Sequence, residues 1–186
     1  MNRETWLNKA IKELGTKVFN RNDIEVPPVK ISVGFTSNRG DKQKVLGACW
    51  SQKASNDNVA QIFIVPTFSD SLRVLDVLAH ELIHAIKPDA GHGKDFKKIA
   101  LKIGLQGPMR STNAGPTLTI CLKSIIKRIG KYPHSDLNPS IGRKKQGTRM
   151  LKAVCFHCGY IVRLTKTWAE LGLSTCYCGG DFELGV

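Results

Sequence analysis

The sequence predicts an α+β domain followed by a small module held together by metal. Three observations carry this: a His-Glu-x-x-His run on a segment with helical periodicity, three short alternating apolar runs upstream of it, and two tight cysteine turns near the end. The chain has 186 residues, 41% of them hydrophobic, enough for one sizeable globular domain and a small appendage.

Taken in order, residues 3 to 20 place Trp6, Ala10, Ile11, Leu14 and Val18 at helical spacing, with Lys and Glu between them, so an amphipathic helix is expected there. After the Pro27-Pro28 break, Val29 to Phe35 alternates, and Val45 to Trp50 and Val59 to Val65 follow, separated by loops rich in Gly, Asn, Asp, Ser and Lys. These form three strands of a small sheet. If the third lies at the sheet edge, an extended peptide can add to it through backbone hydrogen bonds; an interior strand has no free edge. Cys49, Trp50 and Cys121 read as packing residues.

Ser69 or Asp70 caps the next helix, which runs to about Lys87 and stops before Pro88, with Leu72, Leu75, Leu78, Leu82 and Ile86 as its buried stripe. A helix from Lys94 to Ile103 ends at Gly104, and another from about Pro116 to Ile129 ends at Gly130. The turn-rich segment Gly107 to Thr112 separates them.

His80-Glu81-Leu82-Ile83-His84 lies inside the first of these helices. Residues four apart are offset by about 40° around the axis, so both imidazoles project from one face and can grip one ion. Neutral imidazoles suit zinc, and a carboxylate one step along can take a proton from a water without occupying a coordination site. Chance supplies this pattern in roughly 0.004 chains of this composition, which makes it specific. A catalytic zinc needs a third protein ligand and an open fourth position. The candidate is His92, between Gly91 and Gly93, which let the chain turn sharply after Pro88. Met109 is a candidate floor beneath the ion, and Arg110, Tyr132 and His134 are candidate oxyanion partners.

The tail carries the second site. Cys155-Phe156-His157-Cys158 and Cys176-Tyr177-Cys178 are spaced as a four-sulfur zinc ribbon; His157 is a substitute ligand, because the second turn has one residue between cysteines where two are usual. Four thiolates leave no vacancy, so this zinc is structural and holds a segment too small for a core of its own. Two zinc ions per chain follow. Cysteines at metal-ligand spacing fit a reducing compartment.

The formal charge is +13, and four thiolates with two Zn²⁺ leave it unchanged. Anionic partners are favoured, nucleic acid above all; solubility is the alternative. Between Leu137 and Ala169 stand seven Lys or Arg and no acid. Arg143, Lys144, Lys145 and Arg149 in this run, with Arg163 and Lys166 of the ribbon, are the candidate phosphate contacts, against a merely solvated linker. Tyr160, Trp168 and Tyr177 either stack on unpaired bases or form the ribbon's miniature core. The N-terminus lacks a signal-peptide core and no run approaches the ~20 apolar residues that span a bilayer, so a cytoplasmic or nucleoid-associated monomer without membrane contact is expected.

His80-Glu81-Leu82-Ile83-His84 together with Gly91-His92-Gly93-Lys94-Asp95-Phe96 resembles the SprT-like zinc metalloprotease family, which is related to Spartan, and the likeness extends to its members with a C-terminal zinc ribbon. The resemblance implies a compact zincin-like fold, zinc on His80, His84 and His92 as in gluzincins and metzincins, Glu81 as general base, and proteolysis of proteins bound or crosslinked to DNA. On this reading residues 1–132 form the metalloprotease domain, 133–149 a basic linker and 150–186 the ribbon. The rival reading is a non-proteolytic, nucleic-acid-binding or transcription-associated adaptor on the same scaffold.

Overall fold

A computed structural model describes residues 1–35, 45–141 and 150–185. The chain forms two compact units, Met1–Ile141 and Gly142–Val186. Arg143, Lys144, Lys145 and Arg149 lie outside the described residues.

The first unit is α+β. Helix α1, Arg3–Leu14, starts at Asn2, whose side chain accepts from Thr5 N, and buries Trp6, Leu7, Ala10 and Leu14. The expected helix to residue 20 changes character at Gly15: Gly15–Phe19 is a π-helical turn, and the widening buries Val18 and Phe19 side by side. Strands β1 (Val29–Val33), β2 (Gly47–Trp50) and β3 (Ala60–Ile64) form one sheet in the order β1-β3-β2. β3 runs parallel to β1, with Ile31 opposite Ile62, and antiparallel to β2, with Gly47 opposite Ile64.

The third strand is therefore interior. Its apolar side chains Ile62 and Ile64 are fully buried, and both its edges are paired, so no peptide can add to it. The edge strands are β1 and β2, each without a second neighbour among the described residues. Trp50 at its end is 56% exposed rather than packed.

Helix α2, Ser71–Ile86, is capped by Asp70, whose carboxylate accepts from Arg73 N at 2.7 Å. The sequence stripe understated its burial. Leu72 and Ile86 are only half-buried, whereas Val74, Val77, Ala79, Ile83 and Ala85 join Leu75, Leu78 and Leu82 inside. A helix buried on most of its circumference is a central one, and α1, α3, α4 and the sheet all pack on α2. Helix α3, Lys94–Ile103, faces it with Phe96, Ile99, Ala100 and Ile103, and ends at the left-handed Gly104. The turn-rich segment holds a short ladder that periodicity could not reveal, β4 (Leu105–Gln106) against β5 (Asn113–Ala114). Helix α4, Pro116–Ile129, follows at once.

Beyond α4 the chain stays with the first unit. Tyr132 stacks on Trp6 with ring centroids 5.0 Å apart, Trp6 Nε1 donates to Gly130 O at 3.0 Å, and Leu137 N donates to Pro66 O at 2.8 Å. Residues 133–141, read from sequence as linker because they lack periodicity, are thus anchored by individual hydrogen bonds.

The second unit is a three-stranded antiparallel sheet in the order β7-β6-β8, from β6 (Leu151–Cys155), β7 (Ile161–Leu164) and β8 (Phe182–Leu184), with a short helix α5 (Lys166–Glu170). Its buried residues are Ala153, Cys155, Cys176 and Phe182. Two of these four are candidate metal ligands, so the apolar core alone is slight. Trp168 and Tyr177 are 64% and 83% exposed and belong to the surface, not to that core. No helix among the described residues is long and apolar enough to cross a membrane.

Candidate metal centres

His80 and His84 stand on successive turns of α2, and His92 reaches them from the short loop before α3. The loop closes through Gly91 in the left-handed region, at φ +49°, and through Gly93 N donating to Ala90 O at 2.9 Å. Nε2 of His92 lies 3.2 Å from Nε2 of both His80 and His84. Zinc–nitrogen bonds of 2.0–2.1 Å in tetrahedral array require about 3.3–3.4 Å between donors, so the spacing fits one zinc ion. No fourth His, Cys, Asp or Glu joins the cluster among the described residues.

Beneath the rings lies Phe96, fully buried, with its centroid 4.8, 4.7 and 5.1 Å from those of His80, His84 and His92. Phe96, not Met109, is the apolar floor; Met109 packs half-buried against the core. The sequence offers Phe96 only as the last residue of the Gly91–Phe96 run, with nothing local to place it under the rings. Burial, followed by neighbouring His84 and His92, pushes His80 down to about 3, and burial followed by His92 pushes His84 down to about 4. Burial and then Arg110 lower His92. The imidazoles are held neutral, with lone pairs available to a metal.

Only three polar or charged side chains among the described residues are buried, Asp76, Glu81 and Thr112, and all three serve this site. Thr112 Oγ1 is 2.8 Å from His80 Nδ1. With Nε2 turned to the ion, Nδ1 carries the proton and donates to the hydroxyl, which holds tautomer and ring plane. Arg73 secures the segment bearing Thr112, donating to Thr112 O at 3.3 Å and Asn113 Oδ1 at 2.8 Å while pairing with Asp76. Periodicity does not single out Thr112 or its tie to Arg73, because those partners are 32 to 40 residues apart and share no motif, and the Arg73–Asp76 pair, three residues apart on α2, marks no site by itself.

Glu81 and the three histidines line one cavity of about 320 Å³, together with β2, Arg110 and Thr112. Burial pushes the Glu81 carboxyl up to about 8, and a nearby divalent cation works against that. Gly47 of β2 presses on Glu81: a Cβ there would stand 2.9 Å from Glu81 Cγ and Oε1 and 2.8 Å from Val77 Cγ1. Only a glycine lets the strand approach this close. Cys49 lines the same wall, its thiol pushed up to about 12 by burial and then by Glu81, so it is no nucleophile. Of the candidate oxyanion partners, Arg110 lines the cavity. Tyr132 and His134 do not: Tyr132 stacks on Trp6, and His134 Nε2 lies 2.9 Å from Pro66 O.

In the second unit the sulfurs of Cys155, Cys158, Cys176 and Cys178 gather, with Cys155–Cys178 at 3.5 Å and Cys158–Cys176 at 3.6 Å. Zinc–sulfur bonds of 2.3 Å in a tetrahedron need about 3.8 Å, whereas a disulfide needs about 2 Å, so the set fits zinc and not a crosslink. The shortened second turn closes because Gly179 takes φ +83° and Gly180 leaves room: a Cβ on Gly180 would stand 2.6 Å from His157 Cβ and 3.0 Å from Cys155 Sγ. His157 is exposed and stands outside the cluster. Arg163 and Lys166 are exposed, Lys166 pairing with Glu170 at 3.5 Å.

No family model, curated protein or solved structure matches this chain.

Proposed function

We propose that the chain is a zinc-dependent endopeptidase of SprT-like type, acting on proteins bound or crosslinked to DNA. The observation that carries this reading is the convergence of the His80, His84 and His92 nitrogens in a cavity that Glu81 shares. Zinc bound there supplies Lewis-acid polarisation of a carbonyl and acidifies water toward ~7. Glu81 accepts the proton of the attacking water and hands it to the departing amine. Arg110 at the cavity wall offers positive charge to the developing oxyanion.

β2 receives the substrate. Its free edge borders the same cavity, so a peptide added there as a fourth strand is held in register by backbone hydrogen bonds and its scissile bond is fixed over the histidines. Placement at DNA is supported by the +13 charge and by the ribbon, whose exposed Arg163, Lys166 and Trp168 offer phosphates and bases a surface. The test is incubation of the zinc-loaded chain with a basic DNA-binding protein, with and without single-stranded DNA. Chelator-sensitive cleavage that DNA stimulates and Glu81→Gln abolishes is expected. Cleavage by Glu81→Gln at the wild-type rate overturns the mechanism, and cleavage indifferent to DNA overturns the substrate class.

A further inference from the structure

We infer that the first unit carries a second functional surface, a groove that binds the backbone of single-stranded nucleic acid between the π-helical turn, the end of α3 and the first half of α4. The groove encloses about 690 Å³ and is lined by Lys17, Arg21 and Lys102 without any carboxylate. Leu101 and Ile120 stand on its walls, 52% and 71% exposed. Large aliphatic groups left in water beside three cations suit a ligand that is anionic along one edge and apolar along the other. An unpaired strand has that character, with phosphates for the cations and unstacked bases and sugars for the aliphatic walls. A duplex presents phosphates with its bases turned inward, and leaves those walls unused.

The surrounding charge points the same way. From Phe96 through Ser135 the chain has eight Lys or Arg and no acid. On α3 the exposed Lys94, Lys98 and Lys102 repeat every fourth residue, a column with about 6 Å of rise per step. The column begins two residues after His92 and ends in the groove, so a strand held by Lys102 and followed back along α3 arrives at the metal centre. Two acids lie nearby: Glu13 is 3.4 Å from Lys17 and Asp23 is 4.0 Å from Lys102. The Lys102–Asp23 pair is exposed, and phosphate can compete for its ammonium, which also donates to Asn22 O; the Lys17–Glu13 pair is half-buried and adds its charge at longer range. No aromatic ring lines the groove, so the phosphates supply most of the affinity, the aliphatic walls add only a preference for unpaired bases, and no base edge is read.

This surface is separate from the linker and the ribbon, and it does not depend on hydrolysis. The test uses the full, zinc-loaded chain with Glu81→Gln, so that failure here leaves the peptidase reading standing and the reverse. Anisotropy of a labelled thymidine oligomer of about 16 nucleotides is followed across a salt series. Combining Lys17→Ala, Arg21→Ala and Lys102→Ala should lower the slope of log K against log salt by about 2, at ~0.7 per phosphate on a single strand, and weaken binding about a hundredfold at 0.1 M salt. A control carrying Arg143→Ala, Lys144→Ala, Lys145→Ala and Arg149→Ala should keep the groove's share of the slope. The inference is overturned if the groove variant binds with an unchanged slope, if an unlabelled duplex of equal length competes as well as the single strand, or if the groove substitutions alter only binding to vesicles rich in anionic lipid.

Discussion

Thr112 Oγ1 sits 2.8 Å from Nδ1 of His80, 32 residues away in sequence, and aims the opposite nitrogen of that ring at the metal position. Removing the hydroxyl while keeping the shape, Thr112→Val, is expected to lower affinity at the histidine site by 10- to 100-fold, the usual cost of losing such an outer partner. Thr112→Ser keeps the acceptor and should restore most of it. Competitive titration with a chromophoric chelator reads both, with the ribbon zinc as internal control; equal affinities for Val and Ser would make Thr112 only a packing residue.

Gly47→Ala is expected to separate metal binding from hydrolysis. Its methyl would enter the space of Glu81 and Val77, at a cost in stability of about 1–3 kcal/mol, and turn the carboxylate aside. A displacement near 1 Å can cost about 10²-fold in rate. Zinc content by elemental analysis should hold at two per chain while peptidase activity falls; unchanged activity would mean that Glu81 has room to yield.

The acid limit of the histidine site follows from burial. His80 and His84 are pushed down to about 3 and about 4, so the folded site keeps its neutral, ligating form well below the ordinary imidazole value near 6.5. At His80 and His84 protons therefore compete with zinc only as the pH approaches those lowered values, and His92 is shifted in the same direction by burial and then by Arg110. Affinity measured on Glu81→Gln, which removes the neighbouring carboxyl's own titration, should stay level from about pH 7 to about pH 5 and fall below it; a decline that begins at 6.5 would mean that the rings titrate as if exposed.

Gly180→Ala should cost the ribbon its metal. The added Cβ meets His157 Cβ and Cys155 Sγ at distances no relaxed contact allows, and the unit has little apolar core to fall back on. Elemental analysis should drop from two zinc ions to one, with the histidine zinc retained, and proteolysis should nick residues 150–185 first. Two zinc ions in the variant would show that the sulfurs can regroup.

Much of this architecture was legible in advance because it rests on local patterns. The helices Lys94–Ile103 and Pro116–Ile129 end where the sequence places Gly104 and Gly130, and the spacing of His80, His84, His92 and of the four cysteines announced both clusters. Those features depend on residues within a few positions of one another, or on donor types rare enough to stand out. Tertiary structure alone decided which strand is interior: β3 runs between β1 and β2, so the free edge beside the histidine cluster belongs to β2. It alone put Phe96 under the imidazoles, Thr112 behind His80 and Gly47 against Glu81. Each of these pairings joins segments distant in the chain, and each is set by how α2 is enclosed on most of its circumference. Periodicity identifies a buried face, but which neighbour covers it is a matter of close packing among all the elements at once.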